Sequence, residues 1–401
     1  LFGASVSSAG DVNGDGYSDV IIGAPDCGTD GSEEGRVYVF LGSTSSLCVS
    51  SGWSAESDQA TASFGYSVSS AGDVNGDGYG DVIVGVPQFD NGQQNEGRAV
   101  VYLGSASGLD TTPSWMAEPD RTDAWFGYSV SAAGDVNGDG YADVIVGAPY
   151  YQNGQMSEGA AFVYLGSATG LNSAPSWIAE SDQVAAQLGT SVSFAGDVNG
   201  DGYGDVIVGA PYFDNGQIAE GRVYLYLGSV SGLNTTPVWT VESDQDFASF
   251  GWCVSSAGDV NGDGYGDVIV GAPYFDNGQN DEGRVFVYAG IPSGLSISPV
   301  WTAESDQASA YFGRSVSSAG DVNGDGYSDV IVGADGFTNG QTREGRAFVY
   351  LGSAAGPSTS AAWIAESNQA NAGFGYAVSA AGDLDGDGYS DVIVSAPYFN
   401  N

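Results

Sequence analysis

The chain has 401 residues, 64 of them Gly, and a formal net charge of −42; its only cations are eight arginines, with no Lys and no His. Apolar residues make up 42% and aromatic residues 12%, too much for a disordered acidic tail. The acidity argues against nucleic acid and anionic membrane surfaces, which attract basic patches, and favours metal cations. No apolar run approaches the roughly 18 residues of a membrane-spanning helix. The chain begins at Leu1 without a visible leader, as expected of a mature or trimmed product.

In chain order, the first strong signal is the acidic stretch DVNGDGYSDV at 11–20. Its opening Asp returns at 73, 135, 197, 259, 321 and 383, each time 62 residues on, without insertion or deletion. A period this regular means a solenoid, propeller or array. The unit at 64–125 reads as four strands, A to D. Strand A is YSVSSAG, and the acidic turn follows it. Strand B, DVIVGVP, is nearly all apolar, as when both faces are buried. A polar Asn-Gly loop leads to strand C, RAVVYLG. A loop of Gly, Ser and Pro then leads to strand D around Trp115. No segment carries a capped helical period.

Four strands per repeat fit a propeller blade. A β-helix coil is usually shorter, and separate 62-residue domains would each bury only a small core. The expected fold is all-β: a single seven-bladed β-propeller domain over 1–401, built from 62-residue four-stranded repeats. The units start near 2, 64, 126, 188, 250, 312 and 374, and the last blade is represented only by its first two strands. A closed ring would take its two remaining strands from outside this chain or from a neighbouring subunit. Otherwise it would leave an open edge, which favours association.

In the acidic turn, oxygen donors fall at positions 1, 3, 5, 7 and 9. They are Asp11, Asn13, Asp15, Tyr17 and Asp19, then Asp73, Asn75, Asp77, Tyr79 and Asp81, then Asp135, Asn137, Asp139, Tyr141 and Asp143. The series continues with Asp197, Asn199, Asp201, Tyr203 and Asp205, then Asp259, Asn261, Asp263, Tyr265 and Asp267. It closes with Asp321, Asn323, Asp325, Tyr327 and Asp329, and with Asp383, Asp385, Asp387, Tyr389 and Asp391. The Tyr would offer its backbone carbonyl. Gly14 and Gly16 permit the positive-φ path that turns the oxygens inward. This is the first part of an EF-hand loop without its Glu at position 12. Hard oxygens in a flexible ring suit Ca²⁺, whereas transition metals would usually bring in His or Cys. A plain Asn-Gly or Asp-Gly hairpin turn explains the inner residues but not the outer acids at 1 and 9. About seven Ca²⁺ are expected, coupled to blade stability.

These residues and their flanks resemble the FG-GAP repeat of the integrin α-subunit propeller and its bacterial secreted or surface relatives. Phe-Gly stands at 2–3, 64–65, 126–127, 250–251, 312–313 and 374–375, with Leu188-Gly189 as the departure. Gly-Ala-Pro stands at 23–25, 147–149, 209–211 and 271–273; Gly85-Val86-Pro87, Gly333-Ala334-Asp335 and Ser395-Ala396-Pro397 depart mildly. The resemblance covers the whole chain and implies seven blades with Ca²⁺ in the A–B hairpins. Integrin-like members carry the loop in only some blades, so a full set looks more like the bacterial type. No residues matching a family ligand site are visible.

Strand polarity places the A–B and C–D loops on one face and the B–C and D–A loops on the other. The second face varies most between repeats, as in DCGTDGSEEG at 26–35, YYQNGQMSEG at 150–159 and GFTNGQTREG at 336–345, and it adds Arg121 and Trp125. A protein ligand or self-association is expected there or at the open last blade, although loop drift would give the same variation. Trp53, Trp115, Trp177, Trp239, Trp301 and Trp363 recur once per unit and are expected to pack between blades rather than form a sugar platform. Glu-Gly-Arg at 34–36, 96–98, 220–222, 282–284 and 344–346 is expected to form a repeated ion pair or loop tie, with Ala160 replacing the third Arg. Cys27 and Cys48 flank strand C at opposite faces, too far apart to bridge. Cys253 takes the place of a strand A Ser and is expected to be a buried free thiol. Asn234-Thr235-Thr236 is a glycosylation sequon.

No asymmetric acid–base constellation, nucleophile elbow or phosphate loop is present, so no enzyme is expected. The expected function is a non-catalytic extracellular Ca²⁺-binding scaffold or adhesion module. The alternative is a Ca²⁺-stabilised lectin with glycan sites between blades. Loops with three acids and no bidentate Glu suit millimolar Ca²⁺, which points to a secreted or cell-surface location.

Overall fold

A computed structural model describes residues 1–28, 33–44, 47–48 and 50–400. Six units form four-stranded antiparallel sheets in the order A-B-C-D, and the seventh forms a two-stranded sheet. The second unit shows the pattern, with strands Ser67–Gly72, Asp81–Val86, Arg98–Tyr102 and Trp115–Ala117. The seventh consists of Val378–Gly382 and Asp391–Val394. One further hairpin, Gly290–Ile291 with Gly294–Leu295, lies in the C–D connection of the fifth unit, where the sequence suggested only a loop. No helix among the described residues is long and apolar enough to cross a membrane.

Strand position decides burial. Strand B of each of the first six units is buried at every residue, which accounts for its unbroken Val/Ile run. Strand A buries chiefly its Val and its Ala, three residues apart, and its Ser and Val residues from all seven units line one central channel. Neighbouring inner strands are tied across the channel wall. The amide of Val130 donates to Ser67 Oγ at 3.0 Å, and that of Val192 donates to Ser129 Oγ at 3.1 Å. Cys253 takes a Ser place in this series, and its Sγ lies 3.4 Å from the amide of Val316. It is half-buried rather than fully buried, and its surroundings push the thiol pKa up through desolvation. Cys27, Cys48 and Cys253 are free thiols.

The core lies between blades. Ile83, Val101 and Trp115 of the second unit pack with Phe126, Val144, Val146 and Tyr164 of the third. Phe126 is fully buried, and Leu188 takes the same place in the fourth unit. The glycine after it sits where blades touch through backbone. A Cβ on Gly85 would lie 1.9 Å from the carbonyl oxygen of Gly127, and one on Gly127 would lie 2.4 Å from that of Arg98, so neither glycine can carry a side chain there.

The once-per-unit Trp residues bridge blades, as their spacing suggested. Trp115 packs edge-on to Tyr164 at 4.8 Å, and its Nε1 donates to the Asn172 carbonyl at 2.9 Å. Trp177, Trp239 and Trp301 repeat the arrangement. Trp363 is 43% exposed. At the ring's closure the amide of Ser18 donates to the Asp383 carbonyl at 3.0 Å, which joins the first unit to the seventh.

Candidate metal centre

The A–B loops follow one backbone path in all seven units. In the first, both oxygens of Asp11 accept from the loop itself: Gly14 N at 2.7 Å and Asp15 N at 3.1 Å on Oδ1, and Gly16 N at 2.8 Å on Oδ2. Asn13 Oδ1 accepts from Asp15 N at 2.9 Å, and Asp15 Oδ1 accepts from Tyr17 N at 3.1 Å. Gly14 and Gly16 have φ of 72° and 90°, where a side chain would be strained. The seventh loop repeats the pattern, with Gly386 N at 2.7 Å and Gly388 N at 3.0 Å from Asp383.

The ninth position differs from the first and fifth. Asp19, Asp81, Asp143, Asp205, Asp267 and Asp329 are completely buried. Each carboxylate spans two elements. Asp143 Oδ2 accepts from Val136 N at 2.9 Å at the start of its loop, and Oδ1 accepts from Gly166 N at 2.8 Å at the end of strand C. Burial raises the pKa of these acids against the pull of the two amide bonds, and the neighbouring loop acids add to the rise. Asp81, Asp143, Asp205 and Asp267 reach about 7 and Asp19 about 6, against an ordinary 3.8. Asp391 is only partly buried and accepts from Leu384 N at 3.0 Å.

The seventh-position Tyr has a second role that the ligand pattern did not reveal. A Cβ on Gly14 would lie 2.7 Å from the Tyr79 ring of the next unit. The same contact joins Gly76 to Tyr141, Gly138 to Tyr203, Gly200 to Tyr265, Gly262 to Tyr327 and Gly324 to Tyr389, and Gly386 meets Tyr17. The loops therefore form a closed circle in which each loop glycine is the seat of the next unit's Tyr. Backbone bonds run parallel to this circle, as in Gly80 N to the Asp11 carbonyl at 2.8 Å. The recurrence of the signal 62 residues on could have suggested an inter-repeat contact; the spacing within one loop could not.

Acidic oxygens gather at two poles. Among the described residues, three groups of acids have carboxylate oxygens within 4.8 Å of one another: Asp383, Asp385 and Asp391; Glu158, Glu180 and Asp182; and Glu220, Glu242 and Asp244. The first belongs to the A–B loops. Its oxygens lie within about twice a Ca²⁺–oxygen distance of one another, and its donors are all hard oxygens, so the residues fit a bound Ca²⁺. The acids of the other six loops share its backbone path, but Asn stands at their third position.

The opposite face carries the predicted tie in a modified form. Arg222, Arg284 and Arg346 pair with Glu242, Glu304 and Glu366 of strand D, not with the Glu of their own Glu-Gly-Arg. That Glu is buried instead. The same face holds a cavity of about 380 Å³ lined by Arg314, Asp335, Arg343, Asn371, Tyr376 and Tyr398. Asp335 is 3% exposed and lies 3.9 Å from Arg314 and 3.7 Å from Arg343. Burial raises its pKa, and the two arginines oppose the rise. Sequence spacing marked Asp335 only as a mild departure from Gly-Ala-Pro.

The FG-GAP repeat family model matches residues 2–40, 64–102, 126–164, 188–226, 250–288, 312–350 and 374–401. The chain is 34% identical to integrin alpha-5 of Xenopus laevis over 244 residues, which is 59% of this chain and 22% of that protein. It is 35% identical to integrin alpha-V of Gallus gallus over 225 residues, covering 53% and 20%. With integrin alpha pat-2 of Caenorhabditis elegans the identity is 34% over 229 residues, covering 52% and 18%. The matches span about a fifth of these relatives. The repeated Phe-Gly contact, the acidic A–B loop and the propeller that they build place this chain in the FG-GAP repeat family, as an integrin α-like member.

Proposed function

We propose that residues 1–401 form one non-catalytic, Ca²⁺-pinned propeller domain that serves outside the cell as a scaffold or adhesion module. The carrying observation is the circle of seven A–B loops, in which each acidic turn also seats its neighbour's Tyr. Side-chain oxygens at positions 1, 3, 5 and 9 and the carbonyl at 7 would hold about seven Ca²⁺. Bound Ca²⁺ supplies positive charge that offsets about a third of the net −42. The chain's own part is to hold the acids on positive-φ glycines and to join each loop to the next blade. Loops so joined would transmit ion binding to blade packing.

Partners would meet the B–C and D–A face, where the Arg314, Asp335 and Arg343 cavity breaks the repeat. Engagement of the bridging Trp rings between blades favours the scaffold over a lectin that stacks sugars on them. Ca²⁺ titration by calorimetry and melting with and without EDTA test the reading. We expect about seven equivalents bound and a melting temperature that falls by many degrees on chelation. An unchanged melt, with no calcium by elemental analysis, would overturn it.

A further inference from the structure

The pole opposite the A–B loops holds a buried acid in each of units two to six. Glu96, Glu158, Glu220, Glu282 and Glu344 are completely buried. One oxygen of each is satisfied: Glu96 Oε1 accepts from Asn91 N and Glu344 Oε1 from Asn339 N, both at 2.5 Å, and Glu158 Oε1 accepts from Asn153 N. The other oxygen, Oε2, is buried without a hydrogen-bond partner in all five. A buried carboxylate oxygen left unpaired is costly, and more so beside further negative charge.

Four of these units carry an Arg two residues on from the buried Glu. In unit four, Arg222 faces Glu242 across the C–D strand pair, and its guanidinium bonds that carboxylate, with Nε at 2.7 Å. Unit three has the same acids without the cation. Ala160 stands directly opposite Glu180 on the strand pair. Carboxylate oxygens of Glu158, Glu180 and Asp182 lie within 4.8 Å of one another. The polar partner of Glu180 is the amide of Asn153, with Nδ2 at 3.0 and 3.1 Å. Arg121, on the adjacent D–A loop, lies over the Tyr151 ring at 5.9 Å and makes no ion pair with these acids among the described residues.

The site is held in place independently of any ion. The Ser181 hydroxyl donates to the Glu158 carbonyl at 2.8 Å, and Leu188 N donates to the same carbonyl at 3.0 Å. Asp182 is fixed in the left-handed region at φ 56°.

We propose that unit three binds a divalent cation through Glu158, Glu180 and Asp182, beside the strand D Glu that a guanidinium pairs in units one, two, four, five and six. Three hard carboxylates, with no nitrogen or sulfur donor among them, select Ca²⁺ over a transition metal. The cation satisfies the unpaired Oε2 of Glu158 and replaces the charge lost with Arg. Unit four also has three acids, but Arg222 already neutralises Glu242, and that unit takes no ion.

Crystals of the whole chain soaked in Tb³⁺, with the ion located by anomalous scattering, test the proposal. A peak between Glu158, Glu180 and Asp182 is expected, without one at Glu220, Glu242 and Asp244. Ala160→Arg, which copies the neighbouring units and so preserves the fold, abolishes the peak and leaves those of the A–B loops. In calorimetry with Ca²⁺ the same variant loses one equivalent. Glu180→Gln gives the same loss without adding a cation. No peak in unit three, an undiminished peak in Ala160→Arg, or an equal peak in unit four overturns the proposal, while A–B loop binding is read separately from the same map.

Discussion

The two poles of a blade accommodate acidic side chains in opposite ways. At the A–B pole the first and fifth acids stay near solvent and are wrapped by their own loop's amides, as Asp11 is by Gly14 and Gly16. At the other pole one acid is drawn into the blade, as Glu220 is, and the strand D acid beside it is met by a guanidinium, as Glu242 is by Arg222. The first solution is repeated seven times, and it is where we propose that a cation binds. The second already contains its cation, except in unit three. An acid-rich repeat thus holds its like charges apart by backbone donors at one end and by Arg at the other.

The largest effect should come from a position that serves both poles by holding the blades together. Gly85→Ala forces a Cβ into the Gly127 carbonyl and should destabilise by about 3 kcal/mol or more, read by urea unfolding. A loss under 1 kcal/mol would show that blade contact is softer than the 1.9 Å approach implies. At the A–B pole, Asp143→Ala strands the amides of Val136 and Gly166 and should cost about 3 kcal/mol. Asp139→Ala, at an exposed position, should cost far less in EDTA and show its effect mainly when Ca²⁺ is present. Equal losses in EDTA would erase the distinction between the ninth and fifth acids.

The raised acids make pH a sharper probe. Without metal, the folded chain keeps protons on Asp81, Asp143, Asp205 and Asp267 up to about pH 7, whereas the unfolded chain releases them near 3.8. The folded state binds more protons across that window, so stability falls as pH rises from about 4 to 7. The chelated protein should therefore melt higher at pH 5 than at pH 8. With Ca²⁺ the slope should reverse, because protons then compete with the ion. Parallel slopes in both conditions would separate the buried acids from metal binding. The smallest effect belongs to the Arg pole. Arg222→Ala removes a pair with side chains 21% and 16% exposed and should cost about 1 kcal/mol, less at high salt.

Much of this was legible in one dimension. The 62-residue period, the four strands and the seven acidic turns are local patterns, and strand B announces its burial by an unbroken Val/Ile run. The Trp spacing also pointed to packing between blades, and Trp115 against Tyr164 fulfils it. The fate of the Glu-Gly-Arg side chains was not legible. The triplet suggests that Glu and Arg pair, whereas the fold buries Glu220 and gives Arg222 to Glu242, twenty residues further along the chain. The cavity of Arg314, Asp335 and Arg343 was equally hidden, because those residues come together only when neighbouring loops are brought to one rim.

The sequence by itself determined the repeat, the strand order, the loop chemistry and the family resemblance, because each depends on residues within a single unit. Tertiary structure decided which acids are buried, which amides satisfy them, and that each loop's Gly seats the next unit's Tyr. The amides that hold the ninth acid lie 7 and 23 residues away in its own unit, whereas the Gly–Tyr contacts link residues about one repeat apart in the chain. They exist only after the blades close against one another, when burial and charge are shared between units that the sequence writes separately.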